Sequence, residues 1–221
     1  MVRHARDHVR RFWAAQNRRT IGLLMVMFAT IYAIGFVFTT LLSQNFMGNV
    51  PNVFFMWGIL FAIGLALIMA SISLKHYSTT RMMSAKEHAI HSRNIGIFLL
   101  GIGIGAVLFT LPVTLVPGFA SLMILFSLGG ILLLMYTFLD AIFGQKYYEI
   151  GFASLVMWIV FVLGAFAFSN IAYANPPEFQ SLSLMVASIS IIVVFAITGA
   201  LMLYRAGSEF HGDFRKANRI R

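Results

Sequence analysis

Long apolar runs separated by short polar segments dominate the chain. There are six such runs, and they cover residues 21–42, 53–74, 95–111, 119–143, 151–172 and 182–204. All but the third are long enough to cross a hydrocarbon core of ~30 Å at a helical rise of ~1.5 Å per residue. The third reaches this length if it continues past Pro112 to Leu115, because a terminal proline is tolerated in a membrane helix. The pattern therefore predicts six transmembrane helices.

The basic residues predict how these helices are oriented. All 16 Lys and Arg residues lie in the N-terminal arm, in the connections after the second and fourth runs, or in the C-terminal tail. The other connections, 43–52, 112–118 and 173–181, contain none. By the positive-inside rule, both termini are expected in the cytoplasm, with the chain in the plasma or inner membrane. This divides the chain into a basic arm (1–20), a transmembrane domain (21–204) and a basic tail (205–221).

Composition supports an all-α integral membrane protein. Charged residues make up 10% of the chain, whereas soluble domains carry about 25%. The chain has no cysteine, which excludes disulfides, thiolate metal sites and a cysteine nucleophile. The formal charge of +9 is interpreted as a contact with anionic lipid headgroups and not with nucleic acid, because basic residues that flank apolar spans are a membrane signal.

The six runs also resemble one another in pairs. Short Gly- and Phe-containing strings recur in the first run of each pair at 35–39, 105–110 and 164–169, and in the second at 61–64, 126–129 and 195–199. All five prolines lie on the side without basic residues. The sequence therefore predicts three helical hairpins (21–74, 95–143 and 151–204). A repeat of two spans keeps one orientation, so the hairpins would be parallel repeats.

The middle hairpin carries a resemblance to a known family. Its first helix reads GIFLLGIGIGAVLFTLP from Gly96 to Pro112, and its second contains LGGILLLMY from Leu128 to Tyr136. These segments resemble the hairpin unit of the HdeD-like acid-resistance membrane proteins, with weaker similarity in the other two hairpins. The resemblance implies three Gly-rich hairpins with six spans, and a role in stress or acid tolerance.

Groups capable of chemistry are scarce in the apolar runs. Asp140 is the one charge within a run, and it is interpreted as a carboxylate that reaches headgroup water beside Lys146. All six histidines lie outside the runs; among them, His88 and His91, with His76 as a third, have the spacing of weak metal-ligand candidates. We expect no catalytic residue, no cofactor and no enzymatic activity.

Small residues in the runs suit close packing of helices. They recur at intervals of four, which lets helix backbones approach one another. The predicted packing positions are Gly58, Ala62, Ala66, Gly101, Gly105, Ala196 and Ala200.

The N-terminal arm is predicted to be an amphipathic helix at the membrane surface. Apolar residues of the arm fall on one helical face, with arginines around the rest. The surface residues are Arg3, Arg6, Arg10, Arg11, Trp13, Arg18 and Arg19.

These observations leave three functions open. The first is a small non-enzymatic membrane protein of the HdeD-like type that acts through lipid or membrane-protein association. The second is an accessory subunit of a larger membrane complex, and a homo-oligomer is also compatible with the small-residue seams. The third is a neutral-solute transporter or its binding component, for which Thr30, Tyr32, Thr39, Thr110, Tyr136, Ser169 and Asn170 supply uncharged polar groups.

Overall fold

The computed structural model describes residues 2–45, 85–115 and 120–218. These residues form α1 (Val2–Asn45), α2 (Ala85–Leu115), α3 (Ala120–Phe143), α4 (Tyr148–Ala167), α5 (Ser169–Ala174) and α6 (Pro176–Asn218). The described residues contain no strand. The run predicted at 53–74 lies outside them, and with it lie Gly58, Ala62, Ala66 and His76.

Four of these helices contain stretches that are long and apolar enough to cross a membrane. The stretches are Ala14–Val37, Leu122–Ile142, Tyr148–Ala167 and Glu178–Glu209. α2 contributes a shorter apolar stretch, Ser92–Gly105. The described part of the chain is thus all-helical and consistent with an α-helical membrane protein.

Several helices extend beyond the predicted runs. α1 includes the basic arm and continues into the first apolar run without interruption, so the arm is helical and forms one helix with that run. α2 continues through Pro112 to Leu115, which confirms the longer of the two predicted ends. α6 begins at Pro176 and ends at Asn218, well outside 182–204. Proline at a first helical position is favourable, because its missing N–H has no intrahelical partner there.

The fifth run was predicted at 151–172, and its helix differs from this at both ends. α4 begins at Tyr148, so the first turn includes Glu149, a position where a negative charge interacts favourably with the helix dipole. α4 ends at Ala167, and Phe168 has φ −99° and ψ 2°. The hydroxyl of Ser169 donates to the carbonyl of Phe166 (2.9 Å), the kind of local bond by which serine competes with helical pairing.

The N-terminal and C-terminal helices pack together along most of their apolar length, and theirs is the most extensive helix contact in the described structure. They run antiparallel, because Gly22 faces Gly199, the rings of Phe28 and Phe195 are 4.8 Å apart, and the Tyr32 hydroxyl is 3.4 Å from that of Ser188. At the glycine crossing, a Cβ added to Gly22 would lie 2.9 Å from the carbonyl oxygen of Gly199. The crossing therefore depends on the absence of side chains.

The central helices form a second set of contacts, α2 with α3 and α3 with α4. The buried Ser154 hydroxyl on α4 donates to the Gly129 carbonyl on α3 (2.6 Å), and the Trp158 indole N–H donates to the Phe126 carbonyl (3.1 Å). Hydrogen bonds from side chains to the backbone fix α3 against α4 in a region where van der Waals packing would otherwise act alone. α6 contacts both α3 and α4 and joins the two sets.

Candidate functional site

The most prominent polar feature is a group of charged and amide side chains at one end of the bundle. We call this end the loop end, because it carries the 144–147 connection between α3 and α4. The polar cluster there comprises Asn17 and Arg18 on α1, Gln145 and Tyr147 in the connection, Glu149 on α4, and Arg205 and Glu209 on α6.

The end of α3 positions the connection. Gly144 adopts φ 61°, and its N–H bonds the Asp140 carbonyl (2.8 Å). This left-handed conformation is a common helix terminator that glycine adopts without steric cost. It turns the chain so that Gln145 and Tyr147 face α1. The Asn17 amide donates to Gln145 Oε1 (3.1 Å). The Tyr147 hydroxyl contacts the Ala14 carbonyl oxygen (3.2 Å) and also Gln145 Oε1.

Glu149 lies at the centre of the cluster. Its side chain is only 2% exposed, and Oε1 accepts a hydrogen bond from Arg205 Nη1 at 3.0 Å. Arg18 Nε lies 3.7 Å from the same oxygen. One carboxylate on α4 is therefore shared by arginines from α1 and α6, and an isolated buried carboxylate would be strongly disfavoured.

Arg18 makes several of the other contacts in the polar cluster. Its guanidinium also pairs with Glu209 on α6 and lies 5.3 Å from the centre of the Tyr147 ring, within the range of a cation–π contact. Arg18, Arg205, Glu149 and Glu209 together carry no net formal charge. This balance is the arrangement that low-polarity surroundings require of ion pairs.

Hydrogen bonding within the cluster is incomplete. Arg18 Nε and Glu149 Oε2 are both buried, and neither has a hydrogen-bond partner among the described residues. Burial also raises the pKa of the Tyr147 phenol above its ordinary value; Arg18 opposes this effect, and Glu209 and Glu149 add to it. Tyr147 is therefore neutral at physiological pH and acts there as a hydrogen-bonding group.

The cluster was only partly foreseeable. Arg18 was predicted as a membrane-surface residue, a prediction that stays open; its side chain is 14% exposed and paired with Glu149 and Glu209, whereas its neighbour Arg19 is exposed. Glu149, Tyr147, Arg205 and Glu209 were not predicted as site residues. Each lies near one end of an apolar run. The available signal was that acidic and basic residues occur together at these ends, where the basic residues were interpreted only as markers of orientation in the membrane.

The other predicted positions are dispersed. A Cβ on Gly101 would lie 2.6 Å from the Phe138 ring, and one on Gly105 would meet Leu134, so both glycines lie at the contact of α2 with α3. On α6, Ala196 is half-buried and Ala200 is exposed. Asp140 pairs with Lys146 at 3.6 Å, and both side chains are exposed, as predicted.

The structure does not describe the side chains of the metal-ligand candidates. His76 lies outside it, and the side chains of His88 and His91 are also outside what the structure describes. Within the described ranges, no group of three or more His, Cys, Asp or Glu residues is placed to hold a metal ion. The side chains of Arg3, Arg6, Arg10, Arg11 and Trp13 also lie outside the described part, so their surface role stays a prediction.

Of the polar groups considered for a neutral ligand, the side chains of Thr39, Thr110 and Asn170 lie outside what the structure describes. The Thr30 hydroxyl donates to the Val26 carbonyl of its own helix, and Tyr32 contacts Ser188 across the α1–α6 contact. Tyr136 packs beside Tyr148, with ring centres 6.4 Å apart. These described side chains stabilise helices and helix contacts and do not converge on one site.

Compared with protein-family models, curated proteins and solved structures, the chain matches none of them. The resemblance of the middle hairpin to the HdeD-like proteins therefore stays a prediction.

Proposed function

We propose that the protein is a non-enzymatic multi-pass membrane protein that acts by lateral association with other membrane proteins. The observation that carries this proposal is the large apolar area that three helices expose along their length. On α4 the exposed side chains include Phe152, Leu155, Val162, Leu163 and Phe166, the last at 84% exposure. α2 adds Leu99, Leu100, Ile104, Val107 and Leu108, and α6 adds Leu184, Ile189, Val193, Ile197 and Leu201.

The distribution of polar groups supports the same proposal. The described ion pairs lie at the loop end, and Glu178 lies in the first turn of α6 at its other end. The exposed faces between the ends consist mainly of leucine, isoleucine, valine and phenylalanine. Such faces can contact either lipid or the apolar helices of a partner. Helices in a bilayer associate mainly through close van der Waals packing, because lipid is as apolar as the side chains and the hydrophobic effect contributes little. A second copy of the chain is one such partner, and a larger complex that holds the protein as an accessory subunit is another.

The proposal includes the finer topology that the sequence predicts. In it, six spans form three parallel hairpins, both termini are cytoplasmic, and the basic arm and tail contact anionic headgroups of the plasma or inner membrane.

The resemblance of the middle hairpin to the HdeD-like proteins adds a role in stress or acid tolerance to the proposal. Loss of survival at low pH in a strain that lacks the gene, with recovery on re-expression, is the result expected for that role. Unchanged survival would remove the acid-tolerance part alone.

The association itself is tested by extraction into native lipid nanodiscs without detergent, followed by native mass analysis. We expect a species heavier than one 24.7 kDa chain with its lipids, and a defined partner or a defined number of copies. As a matched comparison, Leu163→Ser on the exposed face should reduce this species, whereas Arg19→Gln, exposed at the loop end, should not. A homogeneous single chain with lipid alone would contradict the proposal.

A further inference from the structure

The five longer helices of the described structure fall into two groups that are held together by different contacts. The terminal pair, α1 with α6, is joined by the Gly22–Gly199 crossing, the Phe28–Phe195 ring contact and the Tyr32–Ser188 contact. The central group, α2 with α3 and α4, is joined by the glycine contacts of α2 and by the Ser154 and Trp158 hydrogen bonds. Neither set of contacts depends on a charged residue.

The boundary between the two groups changes character along its length. At the loop end it consists of the polar cluster: α1 and α6 are tied to α4 and to the 144–147 connection by Arg18, Arg205, Asn17 and Tyr147. α4 and α6 are also in contact across this boundary, and their buried apolar side chains, which include Met157, Ile191 and Phe179, belong to one core cluster. One end is therefore closed by charge pairing and the remainder by packing.

Glu149 is the residue on which the polar end depends. It belongs to the central group, and both of the arginines it contacts belong to the terminal pair. The Arg18–Glu209 pair lies within the terminal pair and does not cross the boundary. Without the negative charge at Glu149, Arg18 and Arg205 would face one another with only Glu209 to balance them, and both would favour water over the boundary.

We propose that the polar cluster is a latch that closes the loop end of this boundary. The negative charge of Glu149 keeps the terminal pair and the central group in contact at the loop end. Loss of that charge separates the two groups at the loop end, while the apolar part of the boundary stays packed. This device goes beyond the proposed association, which requires only the exposed apolar faces.

The absence of cysteine from the chain allows the latch to be tested by the labelling of single introduced cysteines. Ala15→Cys on α1 and Ala206→Cys on α6 place thiols at buried positions beside Arg18 and Arg205. Ala187→Cys places one at an equally buried position farther along α6. The full chain would be reconstituted in nanodiscs, and the rate of modification by a water-soluble maleimide would be measured with and without Glu149→Gln.

We expect Glu149→Gln to accelerate labelling at Ala15→Cys and Ala206→Cys by at least about tenfold, because removing one member of a buried ion pair makes local opening of that region easier. Labelling at Ala187→Cys should not change. Asp140→Asn, which breaks an exposed pair at the same end, is the matched control and should change none of the rates. Glu149→Asp keeps the charge on a shorter side chain and should label at a rate between those of wild type and Glu149→Gln.

Two results would overturn the latch. Equal labelling rates in wild type and Glu149→Gln would show that the charge does not hold the boundary. Acceleration at Ala187→Cys together with the loop-end positions would show general loosening of the bundle. If Glu149→Gln does not assemble, the Glu149→Asp series decides between the same outcomes. None of these results bears on lateral association, which the nanodisc mass measurement tests separately.

Discussion

Two adjacent arginines show how strongly the surroundings decide what a residue does. Arg18 and Arg19 are one position apart on α1, yet Arg18 is 14% exposed and in contact with two glutamates, while Arg19 is exposed. A helix rotates by ~100° per residue, because 3.6 residues complete a turn, so neighbours in sequence face different surroundings. The composition of the arm predicts its charge but not which arginine turns inward.

This difference gives a matched pair of substitutions. Arg18→Gln should lower the free energy of unfolding by about 2–4 kcal/mol, because it leaves the buried Glu149 with one arginine that is itself half-exposed. Arg19→Gln should change it by less than about 0.5 kcal/mol, the usual range for an exposed position. Denaturation in mixed micelles, followed by circular dichroism, measures both. Similar losses in the two variants would mean that the polar cluster does not stabilise the fold.

Tyr147 gives the cluster a dependence on alkaline pH. Burial raises the pKa of its phenol in the folded chain, so above the unfolded value of about 10 the unfolded state loses this proton before the folded state does. The stabilising contribution is therefore complete below pH ~10 and declines as pH rises toward the folded pKa. We expect wild type to lose stability more steeply than Tyr147→Phe above pH ~10. Parallel stability curves for the two proteins would contradict a buried neutral phenol.

At the scale of the helix, the backbones of α1 and α6 approach closely at their glycine crossing. A Cβ on Gly199 would lie 2.7 Å from the Gly22 carbonyl oxygen, and the backbone atoms there have no rotamer to change. By contrast, a Cβ on Gly207, two residues beyond Arg205 on the same helix, meets nothing within 4 Å. These two glycines separate the effect of packing from that of helix propensity.

Gly199→Ala should therefore destabilise the protein by about 1–3 kcal/mol, the usual cost of overpacking a helix contact. Gly207→Ala should be neutral or stabilising by up to about 1 kcal/mol, because alanine favours helix over glycine. Thermal unfolding of the two variants in the same lipid and detergent gives the comparison. A stabilising Gly199→Ala would show that the helices are farther apart than the structure places them.

Helix positions were largely predictable from the sequence, and helix partners were not. The apolar runs locate α1, α3, α4 and α6, because length and hydrophobicity alone select a spanning helix. Gly101 and Gly105 were predicted as packing positions, and both face α3. The pairing of the N-terminal helix with the C-terminal helix joins residues that are far apart in sequence, and no periodicity reports such a contact. For the same reason, Arg18 and Glu149 could not be connected before the fold placed them side by side.

At the scale of the whole molecule, ion pairs and apolar surface are separated along the described helices. The described ion pairs lie at the loop end, and the broad apolar faces of α2, α4 and α6 lie between the ends. This separation suits a protein whose polar end faces water or headgroups and whose sides face hydrocarbon. It also means that a change of partner at the sides and a change of state at the polar end involve different residues.

The six-span arrangement makes one prediction that a four-span arrangement does not. If the runs at 53–74 and 95–111 both cross the membrane, Ser92 on α2 lies on the same side as Lys146. If neither crosses, Ser92 lies on the opposite side, with Ser181.

The side chains of Ser92, Lys146 and Ser181 are all exposed, and the chain has no cysteine. Ser92→Cys, Lys146→Cys and Ser181→Cys therefore each give a single reporter. In intact cells, a membrane-impermeant maleimide should label only Ser181→Cys, because the positive-inside rule places the other two positions in the cytoplasm. Permeabilised cells are the control, because all three cysteines should react there. Labelling of Ser92→Cys from outside would reject six spans, and labelling of Lys146→Cys from outside would reject the orientation.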